Sequence, residues 1–428
     1  MPLRWFFMIH LNPSLTPAML VPKLRRLFEL SAQKIHSLDQ SWSPAEGSPV
    51  CTVNGRYTSR GWTEWTQGFQ FGSAILQYDA TGETAFLESG RSRTVELMPP
   101  HVTHIGVHDH GFNNVSTYGN LLRLMKEGRL PENTWEQRLY ELALRCSGAV
   151  QAARWARTAD GGGYIYSFNG PHSLFVDTIR SVRALVVSHQ LGHILMGEND
   201  KKISLLERAT AHIRCTATYS VYYGEGRDAY DMRGRTAHEC IFNSNDGNFR
   251  CANSQQGYSA LTTWTRGLAW AMCGFAEQLE YYDTLQDQRE IIGIMEKAAR
   301  ATCDFYIEQT PANGVPYWDT GAPNLPDEPV DSSAATIAAQ GLLRLGHRLN
   351  DVRYTQAGLT VCDTIFDEPY LSTDPAHQGL ILHSVYHRPR GWDWEPGVSS
   401  MWGDYHAREL ALYVLRLAEN KPYLKFWL

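Results

Sequence analysis

Residues 332–343, from Ser332 through Ala334, Ala335, Ile337, Ala338 and Ala339 to Leu343, form a helical stretch with few charges on any face. A helix without a polar side must be enclosed by other elements. Elsewhere the helical stretches are one-sided: Leu24, Leu27, Phe28 and Ile35 share a stripe over 22–38, and Ile291, Ile294, Met295, Ala298 and Cys303 share one over 286–308. Alternation of one-sided helices with helices apolar all round predicts two concentric layers.

The spacing of the inner type fixes their number. Trp62, Asp109, Asp177, Trp264, Asp331 and Trp402 each open an apolar helical stretch, at gaps of 47, 68, 87, 67 and 71 residues. Each gap holds one outer helix, one inner helix and their loops. The expectation is therefore an all-α chain, an (α/α)6 barrel of six inner and six outer helices with the inner N-termini gathered at one end. Residues 1–20 read as a poorly structured N-terminal extension and 21–428 as a single barrel domain. Gly, Pro, Asn and Asp clusters near 155–175, 224–260, 311–330 and 367–400 mark the loops that would shape a pocket.

Composition narrows the partners. A net charge of -6 with no Lys/Arg run offers no phosphate footprint, which argues against nucleic acid. No stretch is long enough to span a membrane. The eight cysteines contain no CxxC pair and read as reduced thiols, and the short apolar run Trp5 to Leu11 contains His10 and lacks a cleavage site, so the chain reads as cytoplasmic. With 13 Trp and 21 Tyr, it is well supplied with flat amphipathic rings of the kind that stack on sugars.

Asp177, within Leu174-Phe175-Val176-Asp177-Thr178, follows an apolar run at a helix start, and Asp109, within Val107-His108-Asp109-His110-Gly111-Phe112, also stands where a helix should begin. Such carboxylates are held rather than solvated, so their pKa can be tuned for proton transfer. Capping a helix is the plainer role for both, and for Asp331. The histidines from His101 to His110 invite a metal, yet Pro99, Pro100 and Gly106 break any single helix face and no HExxH spacing occurs. Trp264, Arg266 and Trp270 form either a buried stack with an internal ion pair or a platform and cation for an anionic sugar. Ser254-Gln255-Gln256-Gly257 and Ala237-His238-Glu239 are polar segments just ahead of them.

In order along the chain these segments resemble glycoside hydrolase family 88, the unsaturated glucuronyl hydrolases. The similar motifs are Trp65-Thr66-Gln67-Gly68-Phe69, His108-Asp109-His110-Gly111-Phe112, Asp177 after its apolar triplet, Thr262 to Trp270, Tyr317-Trp318-Asp319 with Asp331-Ser332-Ser333-Ala334, and Met401-Trp402-Gly403-Asp404-Tyr405. The resemblance implies the (α/α)6 barrel, Asp177 as general acid/base with Asp109 as its essential neighbour, and Trp65, His108, His238, Gln256, Trp264, Arg266, Trp270 and Tyr386 lining the sugar site. It implies no metal and no organic cofactor. The implied reaction removes a 4,5-unsaturated uronic acid from lyase-generated oligosaccharides by hydrating its double bond, with the charge of Asp109 helping to keep Asp177 protonated. Unsaturated rhamnogalacturonyl hydrolases share the barrel and the chemistry, and a non-catalytic glycan-binding barrel is the alternative from another class.

Three positions depart from the family's pattern near the expected pocket: Gln70, Gln255 and Leu268. The loop from Tyr386 to Trp394 is unusually aromatic. Its Arg388 and Arg390, flanked by Trp392 and Trp394, are expected to meet the sugar next to the unsaturated residue; pairing with Asp393 or Glu395 is the plainer alternative.

Overall fold

The computed structural model describes residues 7–61, 64–391 and 396–427. Its inner ring starts with helix Gln67–Thr81, followed by the π-helical Gly111–Gly119 running into Asn120–Lys126, and by Thr178–Ser181 running on into Arg183–Gln190. Helices Thr265–Tyr282, Ser332–Leu349 and Met401–Ala418 complete it. Each packs on the next, and the last returns to the first, so the ring closes. Outside lie Pro17–Ser41, Thr84–Leu97, Thr134–Ala153, Leu205–Cys215, Arg289–Gln309 and Val352–Ile365. This is an (α/α)6 barrel.

The residue patterns account for the layers. Every residue from Ser332 to Gly346 is buried, as a helix with no polar face must be. The outer helix Arg289–Gln309 instead buries Ile291, Met295, Ala298 and Cys303 and leaves Ile294 partly covered. Strands are short and confined to the connections. Ser173–Phe175 pairs antiparallel with Glu239–Phe242, which pairs with Phe249–Asn253, setting Glu239 opposite both Phe175 and Asn253. At the far end of the barrel the C-terminal segment closes over the core: Arg344 Nη2 donates to Leu424 O at 2.9 Å, and Trp427 Nε1 donates to Glu277 O at 2.9 Å.

The poorly structured extension expected over 1–20 needs correction where the chain is described. Ile9, Leu15 and Leu20 are buried, and Ile9 N and His10 N donate to Ile307 O and Ala312 O at 3.0 and 2.9 Å. The segment covers the end of an outer helix, and the first helix already begins at Pro17. Residues 1–6 lie outside the described residues, as does Trp62, expected to open the first inner unit.

Candidate active site

The N-terminal ends of the inner helices converge on a cavity of about 230 Å³. Trp65, from the 3-10 turn Glu64–Thr66, stacks on buried Trp402 at 5.1 Å and donates from Nε1 to Tyr386 Oη at 3.4 Å. Trp270 packs on Phe112 at 4.8 Å, which ties the wall to the barrel core. Arg266, almost wholly buried, lies 4.6 Å from the Trp264 ring and 4.8 Å from the Trp402 ring. Its guanidinium donates to Asp331 Oδ2 (3.3 Å), Gln256 Oε1 (2.6 Å), Tyr386 O (2.9 Å) and Val385 O. Arg266 is thus both an internal ion pair and part of the cavity lining.

One side of the cavity is held by a contact between two helix starts. Gln151 Nε2 and Ser181 Oγ both donate to His108 O, and Gly111 N donates to Ser181 Oγ at 3.1 Å. A Cβ at Gly111 would sit 2.1 Å from Ser181 O, so glycine is required for this approach. The contact brings Asp109 and Asp177 together around one imidazole. His108 Nε2 lies 3.5 Å from Asp177 Oδ1 and 3.8 Å from Asp109 Oδ1, with its ring packed beside both Phe168 and Phe175, which also touch each other. All three are buried, and neither His108 ring nitrogen nor Asp177 Oδ1 has a hydrogen-bond partner among the described residues.

The capping role divides the aspartates. Asp331 Oδ1 accepts from Ser333 N at 3.0 Å, whereas Asp177, at the same position of its helix, makes no side-chain cap. The Asp177 carboxylate remains available for chemistry.

Burial pushes Asp109 up, and although His108 opposes this, the Asp177 charge adds to it, so its carboxyl stays above the usual range. Burial also pushes Asp177 up, but His108 beside it, aided by His238, wins and holds it below that range. Burial lowers His108, yet the two carboxylates carry it above the ordinary imidazole value. The expectation that Asp109 keeps Asp177 protonated is therefore reversed in the free site. The shorter approach of the imidazole to Asp177 leaves Asp109 as the readier holder of a proton.

No protein-family model matches the chain, but relatives match along most of its length. An unsaturated glucuronyl hydrolase of Bacillus sp. strain GL1 is 27% identical over 380 residues, covering 86% of this chain and 90% of that protein. One from Formosa agariphila is 24% identical over 352 residues, covering 81% and 78%. The crystal structure of the Bacillus sp. GL1 unsaturated glucuronyl hydrolase superposes with a TM-score of 0.74 at 22% identity, over 93% of this chain and 97% of that one. The chain is similar in sequence and in fold to unsaturated glucuronyl hydrolases.

Of the residues that the family resemblance pointed to, Trp65, His108, Asp109, Asp177, Gln256, Trp264, Arg266, Trp270 and Tyr386 line the cavity, as does Arg390 from the aromatic loop. Two do not. His238 lies behind the wall, 4.4 Å from the Trp264 ring and 4.6 Å from Phe175, its Nδ1 accepting from Gln255 N and Gln256 N at 3.1 and 3.3 Å. Burial lowers its pKa to about 3. Arg388 turns away: its Nε lies 3.1 Å from Glu328 Oε2, a partner the sequence reading did not consider. Trp392, Asp393, Trp394 and Glu395 lie outside the described residues.

Among the departures from the family pattern, Gln255 lines the cavity, while Gln70 accepts from Gln67 Nε2 at 2.6 Å and Leu268 is buried in the core, both away from it. The sequence reading missed Glu64, His104, Phe168, Phe175 and His387 as lining residues. Phe168 and His387 fall in two stretches marked as pocket loops, Phe175 and His104 stand within segments quoted for other reasons, and Glu64 carried no signal.

His108, Asp109 and Asp177 are also the residues that could hold a metal, each offering an atom within 4.8 Å of the others. The two carboxylates raise His108 above the ordinary imidazole value, and in its protonated form the imidazole meets the same electrostatic need with no lone pair left on Nε2 for an ion. His110 and His101 are spent otherwise: His110 bonds through its ring nitrogens with Ser147 Oγ and His104 O, and His101 with Asn113 Nδ2, while His104 lines the cavity.

Proposed function

We propose that this chain releases a 4,5-unsaturated uronic acid from the non-reducing end of lyase-generated oligosaccharides. The observation that carries the reading is the buried His108, Asp109 and Asp177 cluster in an aromatic-walled cavity, in a chain similar to unsaturated glucuronyl hydrolases. The substrate's terminal residue is an enol ether. Protonation at C4 gives an oxocarbenium ion at C5, water adds there, and the hemiketal opens and expels the neighbouring sugar. Asp177 gives the proton and then takes one from the attacking water, the exchange of roles that acid–base catalysis requires. No bond to the anomeric carbon is displaced directly, so the carboxylate separation carries no stereochemical meaning here.

The ionisation order supports one refinement. The free site keeps its proton more readily on Asp109 than on Asp177. An incoming substrate carboxylate raises both aspartates, and Asp177 must gain its proton at that stage. The same order favours a second reading in which Asp109 protonates C4 and Asp177 activates water, since carboxyls pushed apart in pKa are suited to opposite roles. The pH profiles of Asp109→Asn and Asp177→Asn separate the two: the variant lacking the acid loses the limb at high pH.

In this reading the rings of Trp65, Trp264, Trp270 and Tyr386 stack on the sugar, Gln256 is oriented by Arg266, His238 acts from behind the wall, and Arg390 supplies charge toward the leaving sugar. Arg388, held at Glu328, supports the loop. No metal or organic cofactor takes part, and the partner is the oligosaccharide rather than nucleic acid or membrane; among the described residues no helix is long and apolar enough to cross a membrane. The eight free cysteines support a reducing, cytoplasmic setting. A panel of lyase-generated disaccharides, sulfated and unsulfated, tests the proposal. Turnover of none of them, with intact binding, would favour a glycan-binding barrel, and turnover of unsaturated rhamnogalacturonyl substrates alone would favour that related activity.

A further inference from the structure

Glu239 is 1% exposed, and its three partners among the described residues are neutral donors. Asn169 Nδ2 donates to Oε1 at 3.0 Å and Ser173 Oγ donates to the same oxygen; Asn253 Nδ2 donates to Oε2 at 2.6 Å. Burying a carboxylate without a cation is costly, and stability alone would be served as well by an apolar residue. A carboxylate does offer two oxygens that accept several hydrogen bonds at once from different directions.

Those directions lead to two walls of the cavity. Asn169 and Ser173 belong to a closed turn, in which Ser167 N donates to Ser173 O at 2.9 Å and Gly170 N to Ser167 O at 3.1 Å. Phe168 sits at its tip with its ring stacked on His108 at 6.1 Å and 18°. Asn253 ends the strand that leads directly to Gln255 and Gln256, whose backbone donors fix on His238, the neighbour of Glu239. From this geometry we infer that Glu239 is a positioning residue, clamping the Phe168 turn and the Gln255–Gln256 segment together so that the sugar cavity is formed before substrate arrives. It touches neither the cavity nor the reacting atoms, and the inference rests on the proposed reading of that cavity as the sugar site.

The test is Glu239→Gln, whose amide nitrogen would face the Asn253 donor. The expected result is a KM raised roughly tenfold with kcat changed less than about threefold and the pH profile unmoved, the signature of lost uniform binding. Adding Asn253→Asp restores a donor–acceptor match, since the new amide can donate to the new carboxylate, and should bring KM back to within about threefold of the parent. A parental KM in Glu239→Gln, or no recovery in the double variant, would overturn the inference. If Glu239→Gln does not fold, Asn169→Ala and Asn253→Ala carry the test in its place, and parental KM in both would overturn it. Hydrogen exchange over 166–172 and 253–257 gives a readout independent of activity: faster exchange in Glu239→Gln is expected in both segments, and unchanged exchange would contradict the clamp. If the parent protein turns over no unsaturated disaccharide, the functional reading fails, while exchange still decides the clamp.

Discussion

Arg266→Met removes the guanidinium that joins four parts of the cavity wall. Asp331, wholly buried, loses its cation at 3.3 Å, and the Val385 and Tyr386 carbonyls lose a donor each. Breaking a buried ion pair costs about 3–5 kcal/mol, and each carbonyl left without a donor about 1–3 kcal/mol. Asp331 keeps Ser333 N, Ser333 Oγ and Val385 N as donors, so the lower ends apply. A total of about 5 kcal/mol follows, comparable to the whole stability of a marginal domain. Urea denaturation measures it, with Asp331→Asn and the double variant completing the cycle. Neutralising Asp331 should make the loss of Arg266 less damaging, with an interaction of about 1.5–3 kcal/mol. A loss under about 1.5 kcal/mol, or strictly additive single variants, would refute the claim that this arginine is bound into the wall rather than lying against it.

Asp177→Asn is expected to lower kcat by roughly 10²–10⁴-fold without unfolding the protein, because the amide keeps the shape and loses the proton; near-parental turnover would remove Asp177 from the mechanism. Asp109→Asn should give a comparable loss with a shifted pH profile, and an unchanged profile would reduce Asp109 to a structural residue. Burial lowers His110, His212 and His238 to about 3, so the unfolded chain binds more protons and stability falls as pH drops from about 6.5 toward 3, by about 1.4 kcal/mol per pH unit for each ring. Imidazole NMR checks this, and a midpoint above 6 for any of the three would contradict it. Chelation should leave the rate unchanged within about twofold, and loss of activity restored by added metal would reassign the His108, Asp109 and Asp177 cluster.

The barrel was legible because its two helix types differ in composition over whole turns. A stretch such as Ser332 to Leu343 has only one way to be satisfied, whereas the amphipathic outer stretches state their buried face directly. Residues 7–20 misled because their stabilising contacts are non-local: nothing around Ile9 announces that its amide will bond Ile307. Asp177 and Asp331 look alike in sequence, each preceding a helix, and only backbone geometry makes one a cap and the other not. Arg388 and Arg390 stand two apart on a 3-10 turn, which aims them in different directions, one to Glu328 and one to the cavity. The ionisation order was beyond any sequence reading, because it depends on how burial, His108 and His238 are arranged around the two carboxylates.

The central claim is hydration of a double bond in the cavity that holds Asp109 and Asp177. Its most direct test is reaction of the protein with a lyase-generated unsaturated disaccharide in deuterium oxide. The account predicts that the ultraviolet absorbance of the conjugated double bond disappears as fast as the neighbouring sugar is released, and that product quenched early carries deuterium at C4 of the uronic acid. Release of the sugar with the double bond intact, and no deuterium at C4, would contradict it.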